Sequence, residues 1–389
     1  MSKSLRIALP LDLQWPIKRH HEVYSGIQDY ARTKAPHWDL IPDLFPAHWI
    51  TPEDDFAGYD AVLGRITKQV ADVADDAKIP CVNVWLNSPI MTKVPSVVPN
   101  YFEAGKMAGE HLLARGLRRF AGSGYRADVA TRMYFKGLQA VASKHHVPLS
   151  KHYSNFNNTK SEQNWQRFVN DANGWIDSWD FPLGIATSYD DDARYLAMMC
   201  LRRSILIPEQ AAIIGANDEF MHCEGSEPSL SSIDMGYYRA GYQAAELLDN
   251  LLNGGDPPSE PILAPPADLV ARHSTDVYTV ANKLVGRAMR FIAEHCGRKI
   301  RVAEVVAHLN CTRQKLEKQF RKAGRRSINE EIVALRIELT KRLLVSTDDS
   351  IGQIALNAGF GTAQHMRHVF RHQLGTTPTA FREAHHKGV

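Results

Sequence analysis

The chain has 389 residues, 44% of them hydrophobic and 23% charged, and a net charge of +3. That length suits two or three domains, each able to bury a core, and no stretch approaches the 18 consecutive apolar residues of a membrane span. Five scattered cysteines (Cys81, Cys200, Cys223, Cys296, Cys311) form no C-x-x-C pair, which argues for reduced thiols and against a disulfide or zinc framework.

Met1–Pro10 lack the basic and apolar regions of a signal peptide, so a cytoplasmic location is expected. Leu5–Leu9 reads as a first strand and Val23–Arg32 as a helix with Val23, Ile27 and Tyr30 on one face. Strands are predicted at Ala61–Leu63, Pro80–Val84, Arg119–Gly122, Leu183–Thr187, Ala211–Gly215 and Ser231–Met235. Helices are predicted between them at Glu103–Ala114, Tyr134–Lys144, Gln163–Ile176, Asp191–Arg203 and Tyr238–Leu252. Such alternation calls for parallel sheets covered by helices, and so many units call for two lobes. Asn253–Pro258 is turn-rich, but strand-like Pro261–Leu263 and Leu269–Arg272 follow it. The boundary of this part is therefore set near Asp276–Ala281, giving domains of 1–278 and 279–389.

Within the first part, Ser188-Tyr189-Asp190-Asp191-Asp192-Ala193, then Ile207-Pro208-Glu209, Ala212–Asp218, Pro228–Ile233, Gly241, Ala244-Ala245 and Arg272–Thr275 follow a recognisable order. His111–Leu113, Gly116, Arg119, Arg132 and Gly137 extend it upstream. This run resembles the effector domain of LacI-type repressors and periplasmic sugar-binding proteins. The resemblance implies an interlobe cleft, with Arg132 contacting sugar, Asp190 and Asp218 as carboxylates at element ends, and Asp12 and Trp15 in the first βα loop. Each residue has a plainer alternative: Asp190 as a helix cap, Arg132 paired with surface carboxylates, Trp15 in the core, Asp218 serving its turn. Asn100 stands where an Asp is common.

The last quarter carries an internal duplication. Val302, Val305, Val306 and Leu309 form one helical face; Asn310-Cys311 make a turn, Thr312 caps, and Leu316 and Phe320 are buried. Ser350 with Gln353 opens the second copy as a capping box. Ile351, Ile354, Ala355 and Ala358 follow, then Gly359 at a tight turn, and Thr362 capping a helix that buries Met366, Val369 and Phe370. Thr312 to Thr362, Leu316 to Met366 and Phe320 to Phe370 share one spacing of 50 positions. Between the copies, Ser327–Val345 reads as a helix of about 28 Å. Such a rod can set two recognition helices about one duplex turn apart.

Gly359-Phe360, Met366, Phe370 and Gly375–Arg382 resemble the signature of AraC-type transcription regulators, with Val306 and Asn310 as departures from Ala and Gly. From Lys283 onward 20 Lys and Arg face 9 Asp and Glu, a net of +11; the preceding part has 26 against 34, a net of −8. A basic domain attached to an acidic one is the electrostatic footprint of a nucleic-acid binder. Arg313, Gln314, Glu317, Lys318 and Arg321 are predicted to face out from the first recognition helix, and Ala363, Gln364, Arg367 and His368 from the second. Gln is suited to adenine, Lys and Arg to guanine or phosphate, and Glu317 to cytosine or to orienting Arg321.

The expected fold is therefore an α/β two-lobed periplasmic-binding-protein-like sensor with parallel sheets, followed by an all-α domain with two helix-turn-helix units. The paired resemblances imply a sugar-responsive regulator of bipartite operator DNA. Xylose is the first expected effector and another pentose or polyol the second, with activation favoured over repression. They imply contact with RNA polymerase and a homodimer, although the double reader does not require one. No enzyme is expected: there is no H-E-x-x-H, no cluster of reactive cysteines, and Ala121–Gly124 is too short for a nucleotide fingerprint. Neither a cofactor nor a metal is expected.

Overall fold

In the computed structural model, residues 4–14, 17–42, 58–154, 162–226, 228–276, 283–322, 326–347 and 349–385 are described. The chain divides into two compact units, Met1–Asp276 and Val277–Val389. The boundary expected between 278 and 279 lies outside the described residues, within 277–282.

The first unit has two lobes. Strands β1 (Leu5–Leu9), β2 (Trp38–Pro42), β3 (Ala61–Gly64) and β4 (Cys81–Asn83) form an all-parallel sheet in the order β2-β1-β3-β4. Ile7, Ala8, Leu9, Val62 and Leu63 have no exposed surface, as a sheet covered on both faces requires. Helices α1 (Lys18–Lys34) and α2 (Lys68–Asp76) belong to this lobe. So does a later helix, because α8 (Tyr237–Leu252) returns to lie across α1. At that crossing a Cβ on Gly241 would collide with the Val23 carbonyl, so a larger residue would force the helices apart.

The second lobe is a six-stranded sheet of β6 (Phe120–Tyr125), β7 (Leu149–Ser154), β8 (Leu183–Thr187), β9 (Ala211–Ala216), β10 (Ser231–Asp234) and β12 (Asp268–Val270). Its order is β12-β10-β9-β8-β6-β7, parallel except for the antiparallel edge strand β12. Helices α3 (Tyr101–Ala114), α4 (Val129–Lys144), α5 (Glu162–Asp177), α6 (Asp190–Arg202) and the one-turn α7 (Phe220–Cys223) belong to it. Ala121–Gly124 lies inside β6. Gly122 there admits the ring of Phe135, which a Cβ would approach to 2.9 Å.

The chain crosses between lobes at 99–101, 234–237 and 264–268. A short parallel pair, β5 (Val97–Pro99) with β11 (Ile262–Ala264), runs beside the crossings. They are braided by backbone bonds, Asn100 N to Ala264 O at 2.8 Å and Ala267 N to Asp234 O at 2.9 Å. Gly236 takes φ +69 at this point, and a Cβ there would stand 2.9 Å from the Pro265 carbonyl. Asn100 caps α3 by accepting from Glu103 N at 3.1 Å.

The second unit is all helical: α9 (Lys283–His295), α10 (Val302–His308), α11 (Arg313–Lys322), α12 (Ile328–Ser346), α13 (Ile351–Asn357), α14 (Ala363–Leu374) and α15 (Pro378–His385). Two cores hold it. Val305, Leu309, Leu316 and Phe320 pack with α9 and with Ile328 and Ile332. Ile354, Ala355, Met366 and Phe370 pack with Ile337 and Leu344. Helix α12 therefore serves both cores and buries more than a single stripe, including Thr340 and most of Arg336. The Arg336 guanidinium donates to the carbonyls of Cys296, Arg298 and Ile300 at 3.3, 3.1 and 3.2 Å, and lies 6.0 Å from the Phe360 ring centroid. One side chain thus ties the α9–α10 connection, which leads into the first helix-turn-helix unit, to the turn of the second.

The caps follow the sequence with one change. Thr312 and Thr362 accept from Lys315 N and His365 N, and Asn310 takes φ +48 in the first turn. Ser350 accepts from Gln353 N, but the Gln353 amide turns forward to Asn357. The reciprocal box forms instead at Ser327 and Glu330.

Candidate functional site

The lobes enclose a cavity of about 260 Å³. Leu11 at the end of β1, Arg19, His20 and Val23 on α1, Arg65 after β3, and Trp85–Asn87 after β4 line one side. Ala130 and Tyr189 line the other, while Pro99, Tyr101 and Tyr237 stand at the crossings. The carboxyl ends of parallel strands are where such sheets accept ligands, since the helix N-termini and loops converge there.

The cavity's aromatic wall is held by hydrogen bonds. Tyr101 and Tyr237 both reach Asn217 Oδ1, at 3.0 and 2.9 Å, with their hydroxyls 2.8 Å apart. Tyr189 donates to Asp128 at 3.1 Å, and its ring lies 5.4 Å from that of Tyr125. Asn217 and Asp218 take positive φ values of +108 and +52 at the end of β9, a backbone state that non-glycine residues adopt at some cost. Asn217 N to Ile233 O and Asp218 N to Ser232 Oγ hold it there.

The charged groups on the other side are cationic. The Arg65 guanidinium stacks 4.6 Å from the Trp85 ring centroid. Burial, then the charges of Arg19 and Arg65, push the His20 imidazole down to about 4, so it is neutral at physiological pH.

Two sets of contacts clasp the lobes, one of them made by the lining residue Asn87. Asn87 donates to Asp128 at 2.6 Å and accepts from Val129 N at 2.8 Å. On the other flank the Lys18 backbone N–H reaches Glu219 at 3.2 Å, and its ammonium lies 3.8 Å from Asp218.

Of the sequence-predicted sensor residues, the described ones, Asp12, Arg132, Asp190 and Asp218, are absent from the lining. Asp12 follows Leu11 and accepts from Gln14 N at 3.2 Å; its charge raises the proton affinity of Arg65 and His20. Trp15 lies outside the described residues. Arg132 is exposed on α4 and is absent from the lining. Asp190 is 1% exposed and accepts from Ser232 Oγ at 2.6 Å and Glu219 N at 2.8 Å. It thus ties β10 and the start of α7 to α6 and neither caps its own helix through its side chain nor lines the cavity. Burial pushes its carboxyl up to about 8, against the pull of those bonds. Asp218 pairs with Arg272 at 2.8 Å, and Arg272 also holds Glu224 at 2.6 Å.

The cavity residues that the sequence reading missed are Arg19, Arg65, Trp85, Tyr101, Tyr189 and Tyr237. Tyr189 sits beside Asp190 in a motif already singled out, and Arg19 opens the helix after the first strand, a position that faces a cleft in this topology.

In the second unit the two recognition helices are α11 and α14. Leu316 and Phe320 on one, and Met366 and Phe370 on the other, face inward. Arg313, Gln314, Lys318 and Arg321 are exposed, as are Gln364, Arg367 and His368. Glu317 is half-buried and pairs with Arg313 at 2.8 Å rather than with Arg321. Ala363 is half-buried against the second core. Among the described residues no helix is long and apolar enough to cross a membrane, and no cluster of His, Cys, Asp and Glu could hold a metal.

Residues 110–275 match the model of a periplasmic binding protein-like domain, and residues 305–384 that of a helix-turn-helix domain. The xylose operon regulatory protein of Escherichia coli K12 is 29% identical over 370 residues, 93% of either chain. The protein of the same name from Haemophilus influenzae is 28% identical over 369 residues, 93% of this chain and 94% of the relative. A solved structure of a xylose-binding transcription activator superposes with a TM-score of 0.70 at 26% identity, covering 99% of this chain and 100% of that one.

Proposed function

We propose, for a chain that is an AraC-type transcription regulator with a periplasmic-binding-protein-like sensor, that a monosaccharide bound in the interlobe cavity controls how the two recognition helices hold operator DNA. The regulator acts as an activator in the cytoplasm. Xylose, the sugar for which its relatives are named, is the first neutral sugar to test. The observation that carries the proposal is the joining of an aromatic-walled cavity of about 260 Å³, at the small end of ligand pockets, to a duplicated helix-turn-helix domain. Ring faces of Tyr189 and Trp85 suit the C–H face of a sugar, and closure around it strengthens the Asn87–Asp128 and Lys18–Glu219 clasps.

The ligand contacts assigned here are Arg19, Arg65, Trp85, Tyr101, Tyr189 and Tyr237, with Asp12 behind them. Asp190 and Asp218 support the cleft from beneath. Asp218 also reaches Arg272, just before the 3-10 turn His273–Thr275 that ends the sensor, so a shift at the cleft flank has a short route to the exit segment. On DNA, Gln314, Lys318, Gln364 and Arg367 read bases, while Arg313, Arg321 and His368 serve phosphate. Contact with RNA polymerase and a homodimer complete the proposal.

The test is binding of the full-length protein to DNA selected from its own genome, with and without a panel of sugars. A change in affinity or footprint with a sugar, lost in Tyr189→Ala, supports the reading. DNA binding that no sugar alters rejects it.

A further inference from the structure

The cavity's described polar side chains include two cations and no anion; its acceptors are neutral ones, a ring nitrogen of His20 and the phenol oxygens of Tyr101, Tyr189 and Tyr237. Arg19 and Arg65 carry only N–H groups, and the indole of Trp85 adds another. Among the described lining residues there is no Asp or Glu. The amide oxygen that could have served, Asn217 Oδ1, already takes the hydroxyls of Tyr101 and Tyr237, and Asn87 Oδ1 takes Val129 N. A neutral sugar brings one hydroxyl proton for every hydroxyl oxygen and needs acceptors for them, because a buried donor left unmatched is costly. This lining sets only those weak neutral acceptors, and no carboxylate, against two guanidiniums.

Against burial, Tyr237, Tyr101, Tyr189 and Glu219 raise the proton affinity of Arg19, so the less balanced charge is that of Arg65. Burial and then the charge of Arg19 lower the proton affinity of Arg65, with Asp12 opposing from outside the lining. A neutral ligand would fill the space and deepen that desolvation without offsetting it; an anionic group would offset it and accept from both planar forks.

Resting on the cleft reading above, we infer that the effector of this cavity is a monosaccharide bearing one anionic group, a carboxylate or a phosphate, held between Arg19 and Arg65 with its ring against Trp85 and Tyr189. The neutral pentose is then the weaker ligand.

Calorimetry on the full-length protein decides it, with D-xylose and D-glucose as neutral probes, D-glucuronate and D-galacturonate as carboxylates, and D-ribose 5-phosphate as the phosphate. At low salt at least one anionic probe is expected to bind tenfold or more tighter than either neutral sugar, and the preference shrinks as salt rises. Arg65→Gln and Arg65→Lys separate folding from charge: both should melt like wild type, with Gln abolishing the anionic preference and Lys keeping part of it. If Gln unfolds, Arg19→Gln supplies the same comparison. Whichever of the carboxylate and phosphate sets binds identifies the anionic group. Neutral sugars that bind as tightly as all the anionic probes overturn the charge inference and leave the cleft reading standing. Absence of binding by every probe, in a protein that still holds DNA, rejects both.

Discussion

Replacing Arg336 with Met tests whether the two DNA-reading units are one rigid body. The side chain is 7% exposed and its guanidinium donates to three carbonyls of the 296–300 segment. A buried acceptor stripped of its donor costs about 1–3 kcal/mol. Three such losses, less the guanidinium desolvation that the change relieves, come to about 3 kcal/mol. For a domain of this size that lowers the melting midpoint by about 10 °C or more. Calorimetry of the full-length protein reads it in the transition that added operator DNA raises, which marks the reader domain. Affinity for a two-part site should fall further than affinity for either half, because both recognition helices hang from α12. Arg336→Lys, reaching fewer carbonyls as a compact point donor, should fall between. A Met variant that melts within about 2 °C of wild type and keeps its two-part affinity would show that the hydrophobic cores alone set the frame.

Other consequences are more local. The folded carboxyl of Asp190 titrates near 8, far above the usual carboxylate range near 4. Between these values the unfolded chain has released a proton that the folded one keeps, so sensor stability falls as pH rises from about 4 to about 8 and then levels. Asp190→Asn should flatten that slope in melts at several pH values; parallel slopes would refute it. Gly359 sits at φ +75 against the Cys296 and Arg298 carbonyls, so Gly359→Ala should destabilise the reader domain by more than about 1 kcal/mol in its calorimetric transition. Lys318→Ala and Arg367→Ala should each reduce discrimination between operator and scrambled DNA by about tenfold or more in anisotropy titrations. Uniform weakening with a shallower salt dependence would mark them as phosphate contacts instead. Arg132→Ala should leave effector affinity unchanged by calorimetry, because the side chain stands outside the cavity; a loss would return it to the site.

The β/α order of the sensor was legible because its buried strands are unbroken apolar runs: Leu183–Thr187 is a strand over that very span. The missed elements were those with weak patterns. Helix α2 buries only Val70 and Ala74, and β7, Leu149–Ser154, mixes Ser, Lys and His at a sheet edge. The duplicated helix-turn-helix was legible in its Thr caps, turn residues and buried pairs, which recur at one spacing, but not in the Ser350–Gln353 box or in the half-burial of Glu317 and Ala363. The cleft was less legible for a physical reason. Arg132, Asp190 and Asp218 are chemically apt for sugar, and only coordinates separate a carboxylate facing a cavity from one bonded to Ser232 beneath it. Arg19 in the first turn of α1, Arg65 after β3 and Trp85 after β4 come from three separate segments, and no one-dimensional spacing brings them together. Likewise Arg336 lies between apolar helix positions and reads as a solvated charge until the carbonyls of Cys296, Arg298 and Ile300 are seen around it.

The central claim, that one chain places two recognition helices on DNA under the control of a cleft-bound sugar, is tested most directly by hydroxyl-radical footprinting. The full-length protein would be bound to DNA selected from its own genome, with and without the tightest-binding probe. Two protected stretches centred about 10 base pairs apart, whose extent or strength changes with the sugar, are predicted. A single protected half-site, or a pattern that the sugar leaves untouched, would contradict the claim.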